Sequence, residues 1–255
     1  DAVMAISAPF TEVPRELFKI ATRFSDISWG DESLALVTEV LRTKQRYKVS
    51  VFNAKAGSLT TLYERSLTDA YSNLGYPVTT KNKYGKNVIA TLNDGRSVLM
   101  NNTTGASDKG DLPYLSIYNL DTKANEIIWR SKDDCFEYVV DVLDAATLQI
   151  ITRRETEKEV PNYFLKSLKS NTSVAITNFT NPYVSMEGVS KQKIKYKRAD
   201  GVDLTGDLYL PKGYNKEKDG PLPTLLWAYP REFTNAADAS QIRGNQHKSP
   251  AGYNG

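Results

Sequence analysis

The chain has 255 residues, 40% of them hydrophobic and 25% charged, a globular composition long enough for one large domain or two smaller ones, which excludes a disordered or fibrous protein. Its 33 Lys and Arg against 30 Asp and Glu leave a net charge of +3 with the two signs interspersed, so no basic face is available to recruit nucleic acid. No apolar run approaches the roughly 20 residues that span a bilayer, and the single cysteine, Cys135, excludes an internal disulfide and a thiolate metal cluster, leaving it the role of a small buried thiol.

Tyrosine is in excess, 15 against one histidine, and 15 glycines with 11 prolines supply turns; this is the composition of a mostly β protein. The opening residues DAVMAISAPF lack the basic and apolar regions of a secretion signal, and VPRELFKIATRF, up to Arg23, could be strands or a short helix. From Phe24 the pattern sharpens. FSDISW, a polar turn at Gly30, Asp31 and Glu32, and LALVTEV read as a hairpin. Then YKVSVF alternates, Asn53 to Ser58 turns, and Leu59 to Tyr63 returns, making about four short antiparallel strands, the scale of one propeller blade.

The same grammar recurs twice. Pro77 to Lys81 and NVIATL lead to the turn Asn93, Asp94, Gly95, from which SVLMNN returns. The polar loop TTGASDKGD follows, then YLSIYNL, a turn at Asp121 and Thr122, and EIIWRS. A third unit runs through FEYVVDVLDAATLQIITRRET and NYFLKSLKSNTSVAITNF, with a turn at Leu143 to Ala146 and a solvated, salt-bridged loop tip at RRETEKE. The expected fold for residues 1–184 is therefore a partial, open β-propeller of about three four-stranded blades. Such a set does not close a ring, and its exposed edges and faces invite self-association.

Past Asn181 the grammar changes. VSKQKIKYKR, the turn Ala199, Asp200, Gly201, and VDLTGDLYLP form a longer hairpin, and the solvated loop GYNKEKDGP leads to PTLLWA, an apolar run suited to a strand buried on both faces. Tyr229 and Pro230 stop that strand. The tyrosine is either an aromatic plug at an ordinary strand end or a phenol aimed into a cleft. Residues 185–255 thus read as the first strands of a second domain.

The string KIKYKRADGVDLTGDLYLPKGY followed by PLPTLLWAYP resembles the opening of the peptidase domain in the prolyl oligopeptidase family of serine peptidases, in which a β-propeller caps an α/β-hydrolase domain. YPREFTNAADASQIRG is similar to the Tyr-Pro-x-Glu-Phe and Gln-x-Arg-Gly segments of the glutamyl endopeptidase branch, and PRELFKIATRFSDISWGDESLALVTE looks like its propeller. The resemblance implies that residues 185–255 begin the hydrolase domain and that Tyr229 donates its hydroxyl to the oxyanion hole. Arg231 stands where the branch commonly has glycine. The family's serine, aspartate and histidine all lie downstream of this strand, and no G-x-S-x-G occurs in these residues.

No triad of the chain's own replaces them. His247, in NQHKSP, reads as a solvated loop histidine. Ser190 and Lys193 fit S-x-x-K by spacing, but on a strand those positions face opposite sides. Asp200 and Asp203 are turn residues rather than a calcium loop, and TTGASDKGD matches no phosphate-binding signature. No metal or cofactor is expected. The resulting expectation is a non-catalytic part of a serine peptidase that works by an acyl-enzyme route, cleaving after glutamate by analogy with the branch. Its propeller would gate access for a peptide substrate, its partner would be the rest of the hydrolase domain, and the chain by itself would be inactive. The compartment is open, with an exported or periplasmic one suggested by the use of such peptidases in scavenging peptides. The alternative is a non-catalytic peptide- or protein-binding propeller scaffold whose ends close by self-association.

Overall fold

The computed structural model describes residues 1–30, 33–93, 95–228, 232–233 and 235–249. Among them the regular structure is almost entirely β, arranged mainly as successive antiparallel sheets. Among the described residues no helix is long and apolar enough to cross a membrane. The chain divides into two compact units, Asp1–Asn101 with Leu115–Ile128, and Asn102–Tyr114 with Trp129–Gly255. Asp31, Glu32 and Asp94, which the sequence puts in turns, lie outside the described residues.

In the first unit the segment without a clear period forms a hairpin of β1 (Ala2–Ala5) and β2 (Arg15–Lys19). The strands β3 (Phe24–Trp29), β4 (Leu34–Leu41), β5 (Arg46–Asn53) and β6 (Ser58–Ser66) then pair in chain order as a four-stranded antiparallel sheet. This is the first expected blade-sized unit. Central strand β4 has apolar cover on both faces, and its alternation divides two cores. Ala35 and Val37 pack with Phe18, Ile20 and Phe52 on one face, while Leu36 packs with Val49, Leu62, Ile89, Val98, Met100 and Tyr118 on the other. The β5–β6 turn follows from Asn53, whose Oδ1 accepts the N–H groups of Lys55 and Ala56.

The next sheet differs from a plain four-strand meander. β7 (Tyr76–Pro77) and β10 (Thr91–Leu92) lie one after the other along the same edge of β11 (Ser97–Asn102). Between them β8 (Thr79–Lys81) and β9 (Asn87–Ile89) branch off as a small hairpin. Its turn is set by Asn82, which accepts the N–H groups of Tyr84 and Lys86. The polar loop TTGASDKGD contains the two-residue strands β12 (Ala106–Ser107) and β13 (Gly110–Asp111). Gly105 there sits at φ +57, with a Cβ position only 1.9 Å from the Leu112 carbonyl oxygen, so no other residue fits. β14 (Tyr114–Asn119) and β15 (Asn125–Arg130) complete the sheet in the order β10–β11–β14–β15.

In the second unit β16 (Phe136–Asp144), β17 (Gln149–Glu155), β18 (Asn162–Ser167) and β19 (Thr172–Ala175) form another four-stranded sheet in chain order. Two expectations shift here. β16 continues through Asp144, because that carboxylate accepts the N–H groups of Ala146 and Thr147 and moves the turn two residues on from Leu143–Ala146. Arg153, Arg154 and Glu155 belong to β17, with Glu155 1% exposed, so RRETEKE is a loop only from Thr156 onward.

The hairpin past residue 189 is present as β20 (Ser190–Lys197) and β21 (Asp203–Leu210), in unbroken register from Ser190↔Leu210 to Lys197↔Asp203. The expected solvated loop after it holds a single helical turn, α1 (Lys216–Asp219), started by the Asn215 side chain. The buried strand at PTLLWA is not formed. Residues 221–228 carry no strand, and Leu225, Leu226 and Trp227 are 88%, 87% and 85% exposed. An apolar run becomes a two-sided buried strand only when other strands flank it and elements cover its faces, and among the described residues none does so. A second one-turn helix, α2 (Ala236–Ala239), follows.

Candidate functional site

Tyr229, the one residue to which resemblance assigns a catalytic role, lies outside the described residues, as do Pro230 and Arg231. What the structure defines is how the chain following it is held. Asn235 accepts the Asp238 N–H at 2.7 Å and starts α2. The Arg243 guanidinium lies over the Phe233 ring at 5.8 Å. Residues 243–249, beginning in the Gln-x-Arg-Gly segment, then form a strap bound into the second unit by a buried polar network.

Asn245, 6% exposed, is its centre. Its Nδ2 donates to the carbonyls of Asp111 at 2.8 Å and Cys135 at 3.3 Å, and its Oδ1 accepts the His247 N–H at 2.7 Å. Its carbonyl accepts from Lys191 Nζ at 3.0 Å. Lys193 Nζ donates to the Arg243 carbonyl at 2.7 Å, and the Asp111 N–H donates to the Gly244 carbonyl at 2.9 Å. Farther along, the Ser249 N–H donates to Glu155 Oε2 at 3.0 Å. Both lysines project from β20 toward Asp207 on β21, Lys193 at 2.5 Å and Lys191 at 3.7 Å, so the two ammonium groups share one carboxylate, and backbone carbonyls of the strap accept from each. Burial pushes the Asp111 carboxyl up, against the opposing pull of the Gly244 backbone and of Lys193, Arg243 and Lys248.

The residues weighed as alternatives fall into structural roles. Lys193, committed to Asp207 and a carbonyl, has no lone pair to act as a base for Ser190. Arg198 takes Asp200 through two hydrogen bonds, at 2.8 and 2.6 Å, and holds its carboxyl down at about 2, while Asp203 pairs with Lys197. No group of three or more His, Cys, Asp or Glu among the described residues could hold a metal ion. Cys135 is buried, which pushes its thiol up and away from the reactive thiolate. His247 departs from the expected solvated histidine. Its side chain is 22% exposed, with Nδ1 3.6 Å from Glu157 Oε1.

Lys191, Asn245 and Glu155 escaped sequence reasoning because Lys, Asn and Glu read as surface by composition. One signal was available. A run of lysines at every second position of β20 puts Lys191 and Lys193 on one face, and Asp207 stands directly across from Lys193.

No family model matches the chain. It is 36% identical over 252 residues to a probable chloroplastic glutamyl endopeptidase of Oryza sativa subsp. japonica, covering 94% of this chain and 27% of that protein. A probable chloroplastic glutamyl endopeptidase of Arabidopsis thaliana is 36% identical over 251 residues, covering 93% of this chain and 26% of the other. The chain thus spans about a quarter of the length of the curated relatives it matches. Among solved structures, oligopeptidase B from Leishmania major superposes with a TM-score of 0.47 at 6% identity, covering 86% of this chain and 36% of that one. A puromycin-hydrolysing peptidase from Mycobacterium tuberculosis gives 0.44 at 14% identity, covering 88% and 31%. Over 94% of its length the chain is a homologue of the glutamyl endopeptidases, and with them a relative of the prolyl oligopeptidase family.

Proposed function

We propose that this chain supplies the substrate-restricting β-propeller portion of a serine peptidase, and from about residue 185 the opening strands of its α/β-hydrolase domain. The observation that carries this reading is the 36% identity to a glutamyl endopeptidase over 94% of the chain. Successive antiparallel sheets whose strands follow chain order support the propeller part, since that is how blades are wound. The whole enzyme would cleave peptides, after glutamate by analogy with its relatives, through an acyl-enzyme. Its blades would limit which peptides reach the serine. Tyr229 would donate to the oxyanion hole, and the strap at residues 243–249 would anchor the chain just beyond it.

The test is to label the natural source protein with a fluorophosphonate probe, isolate the species containing WAYPREF, and weigh it intact. A labelled species well above 28.5 kDa is expected. In that enzyme Tyr229→Phe should lower kcat about 100-fold with KM little changed, the pattern of a lost transition-state donor. The 255-residue chain itself, without G-x-S-x-G, should hydrolyse no peptide. An unlabelled species of 28.5 kDa would reject the peptidase reading in favour of a non-catalytic binding scaffold. The observation favouring that second reading is the open edge strand β19, exposed along all four residues and able to pair with another chain.

A further inference from the structure

The first unit contains a cavity of about 390 Å³ on the Leu36 face of the β3–β6 sheet. Its floor is buried and apolar, made by Leu36 and Val49 with Val98 and Met100 of β11. Its wall is aromatic. The rings of Tyr47 and Tyr63 stack with centroids 6.4 Å apart and an interplanar angle of 28°, and Tyr63 meets the edge of Tyr118 at 6.0 Å. Burial pushes all three phenols up, so they stay neutral at physiological pH and add no negative charge.

At one end Arg65 lies over the Tyr47 ring, 4.5 Å from its centre. Its two Nη atoms donate to the Ser66 and Asp69 carbonyls and to Asn73 Oδ1, while its Nε is buried without an acceptor. Arg42 and Asp26 stand on the exposed rim, Asp26 accepting from Ser28 Oγ at 3.2 Å. The lining therefore carries two guanidinium groups against one carboxylate.

Close-packed protein interiors leave few voids larger than a water molecule, and a volume of several hundred Å³ with an apolar floor and a few convergent polar groups is the form of a small-molecule site. Flat phenol walls favour a ring in offset or edge contact. A guanidinium favours a carboxylate. We propose that this cavity binds a small aromatic carboxylate, with its ring on the Tyr47–Tyr63 wall and its carboxylate at the Arg65 end. The site lies within one unit of the chain and is independent of the peptidase reading.

The test uses the 255-residue chain and two isosteric probes, 2-naphthoate and uncharged 2-naphthamide, titrated by calorimetry and by methyl NMR shifts. Naphthoate should bind saturably and naphthamide at least roughly tenfold more weakly. Thr38→Phe, which places a ring in the cavity without removing a charge, should abolish naphthoate binding, and Arg65→Gln should reduce it to the naphthamide level. Arg65 also holds residues 66–73, so circular dichroism and thermal midpoints accompany each variant. If Arg65→Gln does not fold, the exposed rim variant Arg42→Gln, expected to weaken naphthoate severalfold, takes its place beside Thr38→Phe. No saturable binding, equal binding of the two probes, or naphthoate affinity unchanged by Thr38→Phe would each overturn the proposal.

Discussion

At the scale of single residues two of the four-stranded sheets share one device, a buried glutamate paired with a neighbouring cation and a hydrogen-bond donor. Glu39, 1% exposed, takes Lys48 Nζ at 2.5 Å and the Thr22 hydroxyl at 2.5 Å. Glu137 takes Lys166 at 2.6 Å and the Thr152 hydroxyl at 2.5 Å, and Glu155 takes Arg153 at 3.3 Å with the Ser249 N–H. A charge can stay ionised inside a fold only when it is paired and hydrogen-bonded. Burial alone would raise the Glu39 carboxyl, but the hydrogen bonds from Lys48 and Thr22 together with the Lys48 charge outweigh it and hold the group below its ordinary value. Its contribution is therefore full above the unfolded pKa of about 4.3 and is lost as pH falls through the lower folded value. Lys48→Met, which strands Glu39 without its cation, should destabilise the chain by on the order of 3 kcal/mol at pH 7. The deficit should shrink at pH 4, because burial without Lys48 raises the Glu39 carboxyl of the variant, which then protonates and no longer needs a partner. Urea unfolding at the two pH values checks this, and a pH-independent deficit would mean that Lys48 acts only by packing. In the sequence Glu39 is legible as a lone charge in LALVTEVL, but its partners are not, because Thr22 lies 17 residues away.

Among the elements, the hairpins are legible in the sequence and the unpaired segments are not. β20 and β21 could be placed from alternation and the Asp-Gly turn alone, and Gly201 takes up the positive φ that this turn needs. The strap at residues 243–249 has no such period. It is fixed by the Asp111 backbone of β13 and by side chains of β17 and β20, none of them near it in sequence. Asn245→Ala removes three of its hydrogen bonds and should loosen the strap as a unit. Amide hydrogen exchange at Asp111, His247 and Ser249 is expected to rise roughly tenfold or more, with β3–β6 unchanged, as for a local opening rather than global unfolding. A uniform rise across both units would show instead that Asn245 supports the whole fold. The misread strand at PTLLWA has the same origin, since composition gives a segment its preference while pairing decides its conformation.

For the whole molecule, the exposed Leu225, Leu226 and Trp227 form an apolar segment with unpaired backbone, which is a site for association. The 255-residue chain should therefore self-associate at concentrations on the order of 100 μM. Leu225→Ser combined with Trp227→Ser should shift it toward monomer in sedimentation velocity. If the double variant associates to the same extent, the open edge of β19 is the contact instead. The sequence by itself determined that the protein is mostly β, where most strands begin and end, and their order in successive sheets. Those features rest on residue alternation and turn chemistry, which act over a few positions. Its resemblance to the glutamyl endopeptidases was also carried by contiguous strings. Only the tertiary structure decided which charges are buried, that the first, edge position of the second sheet is divided between β7 and β10, and that Asn245 binds a carbonyl 134 residues away. These depend on the desolvation and pairing of groups brought together by folding, and no local pattern in the chain encodes that.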